Sequence, residues 1–214
     1  MAIKSDREYR DMTIEIRTAE TEEAPEERKV VTGYASTFNE PYTLYENEDW
    51  RFNEVVDARA FENTDMSDVI MQYDHEGRVF ARMSNNTLTV TPDEKGLLIE
   101  ADLGGTELGR QLFEEIRGGY TNKMSFGFTV DGEEIRDMKA ADGKALTVRT
   151  ITSVRKLYDV SAVSLPANDA TSISVRTLTD GEIERIRAER LEAERLELRR
   201  KKLMLEIDLS GGLK

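Results

Sequence analysis

The chain contains no cysteine and a single histidine, His75. Without cysteine there can be no disulfides, no thiolate metal sites and no cysteine nucleophile, although this alone does not fix a compartment. With one histidine, any proton transfer near neutral pH that needs imidazole runs through His75. A zinc site there would have to take every other ligand from scattered acids, none at a recognised ligand spacing, so metal catalysis is disfavoured. Long apolar runs are missing too: no stretch approaches the ~18 residues of a membrane-spanning helix. The start, Met1-Ala2-Ile3-Lys4-Ser5-Asp6, lacks the apolar segment of a secretory leader. A soluble, intracellular protein with no membrane partner is expected. Basic residues are in deficit, 30 Lys and Arg against 43 Asp and Glu, for a formal charge of −13. That balance argues against nucleic acid as a ligand and for basic or protein partners.

What is present suits one core domain with an appendage: 214 residues, 38% of them hydrophobic. The expected division is a core over residues 1–178 and a charged helix with a short tail over 179–214. Met12, Ile14 and Ile16 alternate with polar residues, and 30–38 is a β-prone run, which predicts paired strands. Residues 40–53, with Pro41, Tyr42, Tyr45, Trp50 and Phe52, read as an irregular surface segment. Asp57 reads as the N-cap of a short helix ending near Asp65. Strands are predicted over 69–75, 79–83, 87–91 and 96–103, separated by turn signals such as Asn85-Asn86. Residues 106–117 predict a helix, with Thr106 as cap, Leu108, Leu112, Phe113 and Ile116 at helical spacing, and Gly118-Gly119 closing it. A strand over 123–128 follows, then a polar interruption over 131–144, strands near 146–154 and 156–165, and a short one at 172–175.

Many short strands with inserted helices predict an α+β fold, a compact, largely antiparallel β-barrel, closed or nearly so, with flanking helices and a long C-terminal helix. That last helix is read from Glu and Arg or Lys pairs such as Glu182/Arg185, Glu192/Arg195 and Glu197/Lys201. Leu191, Leu198 and Leu205 form a heptad stripe, but Ala188, Arg195 and Lys202 fill the second seam position, too sparse for a coiled coil. Docking on its own domain, on a partner or on a second copy all remain open.

Three residues could carry chemistry. Alternation places Met124, Phe126, Phe128 and Val130 on one face of their strand and Ser125, Gly127 and Thr129 on the other. A serine beside a glycine on the less bulky face leaves room for a substrate backbone; alternatively both simply face water. His75 could be a general base or a surface imidazole at a strand end. A serine hydroxyl is a weak nucleophile that needs such a base, and the base works best when an acid fixes its tautomer. Asp159 is the best-placed acid, because a carboxylate within the apolar run 157–165 is costly unless paired. The plainer alternative pairs it with Arg155 or Lys156. Lys123, on the same strand face as Ser125, is a rival base.

Gly33-Tyr34-Ala35, Phe61, Asp74-His75-Glu76, Gly96-Leu97, the 109–119 helix, Met124-Ser125-Phe126-Gly127-Phe128, Asp159-Val160-Ser161-Ala162-Val163 and Pro166-Ala167 occur in the order seen in prohead maturation proteases of tailed bacteriophages. Over residues 30–175 the chain resembles that family, which is distantly similar to the herpesvirus capsid assembly proteases. The resemblance implies a β-barrel ringed by helices, Ser125 as nucleophile, His75 as general base and Asp159 as third member. In the herpesvirus relatives a second histidine holds that third place, which this chain cannot supply. Backbone N–H groups at Ala167 and Asn168 are implied as oxyanion donors. The chain departs from the family pattern at Asp74-His75-Glu76, where Asn-His-Asp is common, and at Ala58-Arg59, where a Pro-Gly pair is common.

The expectation that follows is a serine endopeptidase that trims scaffold and capsid-protein extensions, and itself, inside a viral procapsid in the host cytoplasm. Its partners would be the major capsid protein and scaffold segments, with self-association open and no cofactor. The C-terminal helix would serve to bind scaffold. A non-catalytic capsid assembly or scaffolding protein is the alternative.

Overall fold

The computed structural model of the chain describes residues 7–12, 17–18, 29–164, 188, 191–192, 195–196 and 199–202. The chain divides into two units, Met1–Ser174 and Val175–Lys214. The first unit holds eleven described strands: β1 (Glu8–Met12), β2 (Arg17–Thr18), β3 (Val30–Thr37), β4 (Tyr42–Glu46), β5 (Trp50–Val56), β6 (Ile70–Tyr73), β7 (Glu76–Arg82), β8 (Leu88–Pro92), β9 (Gly96–Asp102), β10 (Lys123–Lys139) and β11 (Ala145–Val163). One sheet runs β1-β10-β11-β5-β4, with β6 added to β11 and β7 to β6; the other runs β2-β3-β9-β8.

The core is drawn from both sheets. Phe126 and Phe128 of β10, Val160 of β11, Val31 of β3 and Ile99 of β9 share one apolar cluster with Leu112, Phe113 and Ile116 of helix α1 (Glu107–Arg117). Thr106 caps that helix by accepting from the Gly109 N–H at 2.9 Å. Gly109 is required by close approach, since a Cβ there would lie 2.2 Å from the Leu103 carbonyl oxygen.

The expected closed barrel with a long C-terminal helix does not hold. Strands make up 56% of the described residues and helix 15%, and among the described residues neither sheet closes. A barrel needs its end strands to pair with each other, but β1 and β4 end one path and β2 and β8 the other. The cause lies in β11, which spends one edge on two successive parallel partners, β5 along 145–151 and β6 along 159–162. The sheet therefore branches instead of curling shut. No long C-terminal helix is shown either. Residues 188, 191–192, 195–196 and 199–202 are helical and exposed. The remainder of that prediction, and the strand expected at 172–175, fall outside the described residues.

Smaller departures follow from tertiary pairing. Residues 42–46 and 50–56 are strands, not an irregular segment, because Trp50 and Phe52 are buried. The helix expected after Asp57 is a series of turns in which Asp57 accepts from the Arg59 N–H at 2.8 Å through its side chain. The polar stretch 131–144 interrupts nothing. It extends β10, turns at 140–144 with Gly143 at φ 86°, and returns as β11, a single strand where two were expected.

Candidate active site

His75 stands on the tight turn between β6 and β7. Tyr73 pairs with Glu76 across it, and the two residues between, Asp74 and His75, have φ of 48° and 59°. A two-residue hairpin turn of this hand needs left-handed backbone at both positions, an uncommon conformation for a histidine. Asp74 pins it: its N–H donates to the Ala162 carbonyl, its carboxylate accepts from the Ser164 N–H, both at 3.0 Å, and also from the Ser164 hydroxyl. The histidine is thereby anchored to the end of β11.

Strand register supplies the other two groups. Ser125 on β10 pairs with Ser161 on β11, Gly127 pairs with Asp159, and Asp159 pairs with Ile70 on β6. Ser125 and Asp159 thus share the face toward which the β6–β7 turn directs the imidazole. Nε2 of His75 lies 2.5 Å from Ser125 Oγ, and Nδ1 lies 2.5 Å from Asp159 Oδ1. The Ser161 hydroxyl donates to the same Oδ1 at 2.8 Å, and Arg7 forms an ion pair with Oδ2.

Burial works against the charge of Asp159, but the hydrogen bond and charge of His75, then the Arg7 guanidinium and the Ser161 hydroxyl, hold its carboxyl below its usual range. An ionised carboxylate only accepts, so Nδ1 donates to it, and whenever the imidazole is neutral Nε2 is left as an acceptor facing the serine. A hydroxyl, an imidazole and a carboxylate in this order suit nucleophilic acyl transfer.

Gly127 has a different purpose from the one expected. A Cβ there would lie 2.3 Å from Asp159 Oδ2 and 2.8 Å from Tyr9 Cε1. The missing side chain makes way for the carboxylate that reaches His75, not for a substrate. Nor does this face of β10 meet water, since Ser125 is 0% exposed.

The cover is β1, whose contribution sequence reasoning missed. It pairs antiparallel with β10, Asp11 opposite Ser125 and Tyr9 opposite Gly127. The Tyr9 ring lies 4.4 Å from the His75 ring, and the Ser125 hydroxyl is 3.0 Å from the Arg10 carbonyl oxygen. The alternation Arg7-Tyr9 against Glu8-Arg10 was a period-two signal, hidden because charge falls on both faces, at Arg7, Glu8, Arg10 and Asp11. On its opposite face, Arg10 pairs with Glu54 and Glu8, and Arg149 with Glu8, Glu54 and Glu133. Tyr42 donates its hydroxyl to Glu54.

The alternatives weighed from sequence separate here. Arg155 pairs with Asp131 and Lys156 with Asp65, not with Asp159. No hydrogen bond joins Lys123 to Ser125 among the described residues. Ala167 and Asn168 lie outside the described residues. In comparison with known proteins, the family model for caudovirus prohead serine proteases matches residues 13–185. No curated protein and no solved structure matches the chain.

Proposed function

The chain belongs to the caudovirus prohead serine protease family, and from that premise we propose that it is a serine endopeptidase with Ser125 as nucleophile, His75 as general base and Asp159 as the carboxylate that orients the base. The observation carrying this reading is His75 placed within hydrogen-bond reach of both Ser125 and Asp159, at 2.5 Å each. Ser125 Oγ attacks the peptide carbonyl carbon while Nε2 takes its proton. The tetrahedral intermediate collapses to a serine ester as His75 passes that proton to the leaving amine. Water, deprotonated by His75, then attacks the ester, releasing the new carboxyl terminus and restoring Ser125. Backbone N–H groups at Ala167 and Asn168 are the proposed oxyanion donors, and no cofactor takes part.

The substrates proposed are scaffold segments, extensions of the major capsid protein and the enzyme's own chain, processed within the procapsid in the infected cell. Co-expression with the capsid protein tests this. Wild type should generate new termini detectable by mass spectrometry, and Ser125→Ala should reduce their rate of formation by roughly 10⁴–10⁶-fold. Equal clipping by the variant sinks the assignment. Burial of Ser125 beneath β1 favours one rival, a non-catalytic assembly protein. A fluorophosphonate adduct at Ser125 that is lost in His75→Ala separates the two, since only an activated serine reacts.

A further inference from the structure

The strand over the serine has the form of a bound peptide. β1 lies antiparallel along the edge of β10 from Met124 to Phe128, and its backbone brings the Arg10 carbonyl within 3.0 Å of the Ser125 hydroxyl. The matched family region begins at residue 13, after this strand ends. Extended peptides bind exposed sheet edges in this way, with main-chain hydrogen bonds giving affinity and pockets for alternate side chains giving selectivity.

The pocket here is unusual for its charge. Arg10 enters a site walled by Glu54, 0% exposed, with its guanidinium carbon 5.6 Å from the centre of the Phe128 ring. Two residues earlier, Glu8 meets Arg149, itself 2% exposed, at 2.7 Å. Burial disfavours every one of these charges, yet Glu54 and Glu8 are held below the usual carboxylate range by Arg10 and Arg149. If β1 left, Glu54 would lose one of its cations and Arg149 one of its anions. An incoming strand restores both only by carrying an acid and a base two residues apart, the spacing at which side chains of a strand share a face.

We propose that the β10 edge is the peptide-binding site of this protease, that residues 8–12 occupy it in cis, and that the Glu54–Arg149 pocket selects substrates with an acid-x-base triplet whose basic residue presents its carbonyl to Ser125. The proposal rests on the reading of Ser125 as nucleophile only for the bond cleaved; the docking can be measured separately. Full-length Ser125→Ala is compared with Ser125→Ala/Met12→Pro, in which proline removes a β1 N–H that faces β10 on the same side as the Arg10 carbonyl, opposite Met124, without touching the pocket charges, and with Ser125→Ala/Arg10→Ala. The probe is a fluorescent peptide containing Glu-Tyr-Arg, with Gln-Tyr-Arg and Glu-Tyr-Ala controls, followed by anisotropy.

Loosening β1 should tighten Glu-Tyr-Arg binding about tenfold or more, and the Ala control should bind at least about tenfold more weakly than Glu-Tyr-Arg. Adding Glu54→Gln should shrink that preference. Indifference to the basic residue, or no binding once β1 is loosened, overturns the proposal. So does loss of folding in both loosened variants, which would make β1 an integral strand. On chains retaining Ser125, cleavage of the same peptide should follow the arginine. Selective binding without any cleavage would leave the docking intact and defeat the protease reading instead, whereas cleavage elsewhere would overturn the stated register.

Discussion

The two ends of the β10–β11 hairpin belong to one pair of antiparallel strands, separated by register shifts between Gly127 and Glu133, and could hardly differ more. At its base, residues 124–129 are buried on both faces, and Asp159 is 0% exposed. Toward its tip, residues 133–139 are exposed, and Arg136 pairs with Glu134 at 2.8 Å with side-chain exposures of 72% and 56%. The backbone pairing is the same; what differs is what lies against each face. At the base, one face meets the apolar core and the other meets β1 and the β6–β7 turn. Over the β10 side of the tip no such cover is present among the described residues, so an exposed pair such as Arg136 with Glu134 is screened and contributes little. A charge in a strand thus acquires chemical consequence from the elements stacked over it.

Four measurements bear on that contrast, beginning with the largest effect. Asp159→Asn should lower kcat roughly 10⁴-fold, because the amide no longer enforces the imidazole tautomer, while Glu134→Gln at the tip leaves turnover of the same substrate unchanged. A similar loss in both would erase the distinction. Next, Gly127→Ala should destabilise the fold by about 1–3 kcal/mol in urea denaturation, since its methyl must displace the Asp159 carboxylate and the Tyr9 ring; an unchanged midpoint would mean that this end is looser than described.

The third concerns acid. Asp159 has its pKa lowered in the folded state from 3.8, so its stabilisation is complete above the unfolded value and is lost as pH falls through the lower folded value. Unfolding midpoints followed into acid should therefore decline, and the Asp159→Asn variant should lose part of that dependence. Smallest of all, Arg136→Ala should leave both the unfolding midpoint and activity where they are. A clear loss would show that the tip is engaged.

Much of the candidate site was legible in the sequence. Cysteine's absence and the solitary histidine narrowed the chemistry, and the run 123–128 displayed a serine and a glycine on the face opposite three large apolar residues. An acid inside the apolar stretch 157–163 stood out for its desolvation cost. Helix α1 was readable end to end because cap, periodicity and terminal glycines are local signals. The β4–β5 hairpin was not, since its strands depend on Trp50 and Phe52 finding a core that proximity in sequence does not supply. The hairpin tip was misread for the converse reason: its polar composition resembles a loop, yet ladder pairing satisfies its backbone.

Neither the buried Glu8, Arg10, Glu54, Tyr42 and Arg149 cluster nor the cover given by Arg7 and Tyr9 could be inferred from spacing. Those residues are scattered along the chain, and charge in a sequence reads as surface. Only register, which sets Gly127 opposite Asp159 and Asp11 opposite Ser125, turns charged residues into a buried cluster and an N-terminal strand into a cover over Ser125. The sequence by itself determined which residues were able to react, because ionisation and nucleophilicity belong to side chains. The tertiary structure alone decided which of them meet, which face is sealed and whether the sheet closes, because those outcomes depend on pairings between segments many residues apart.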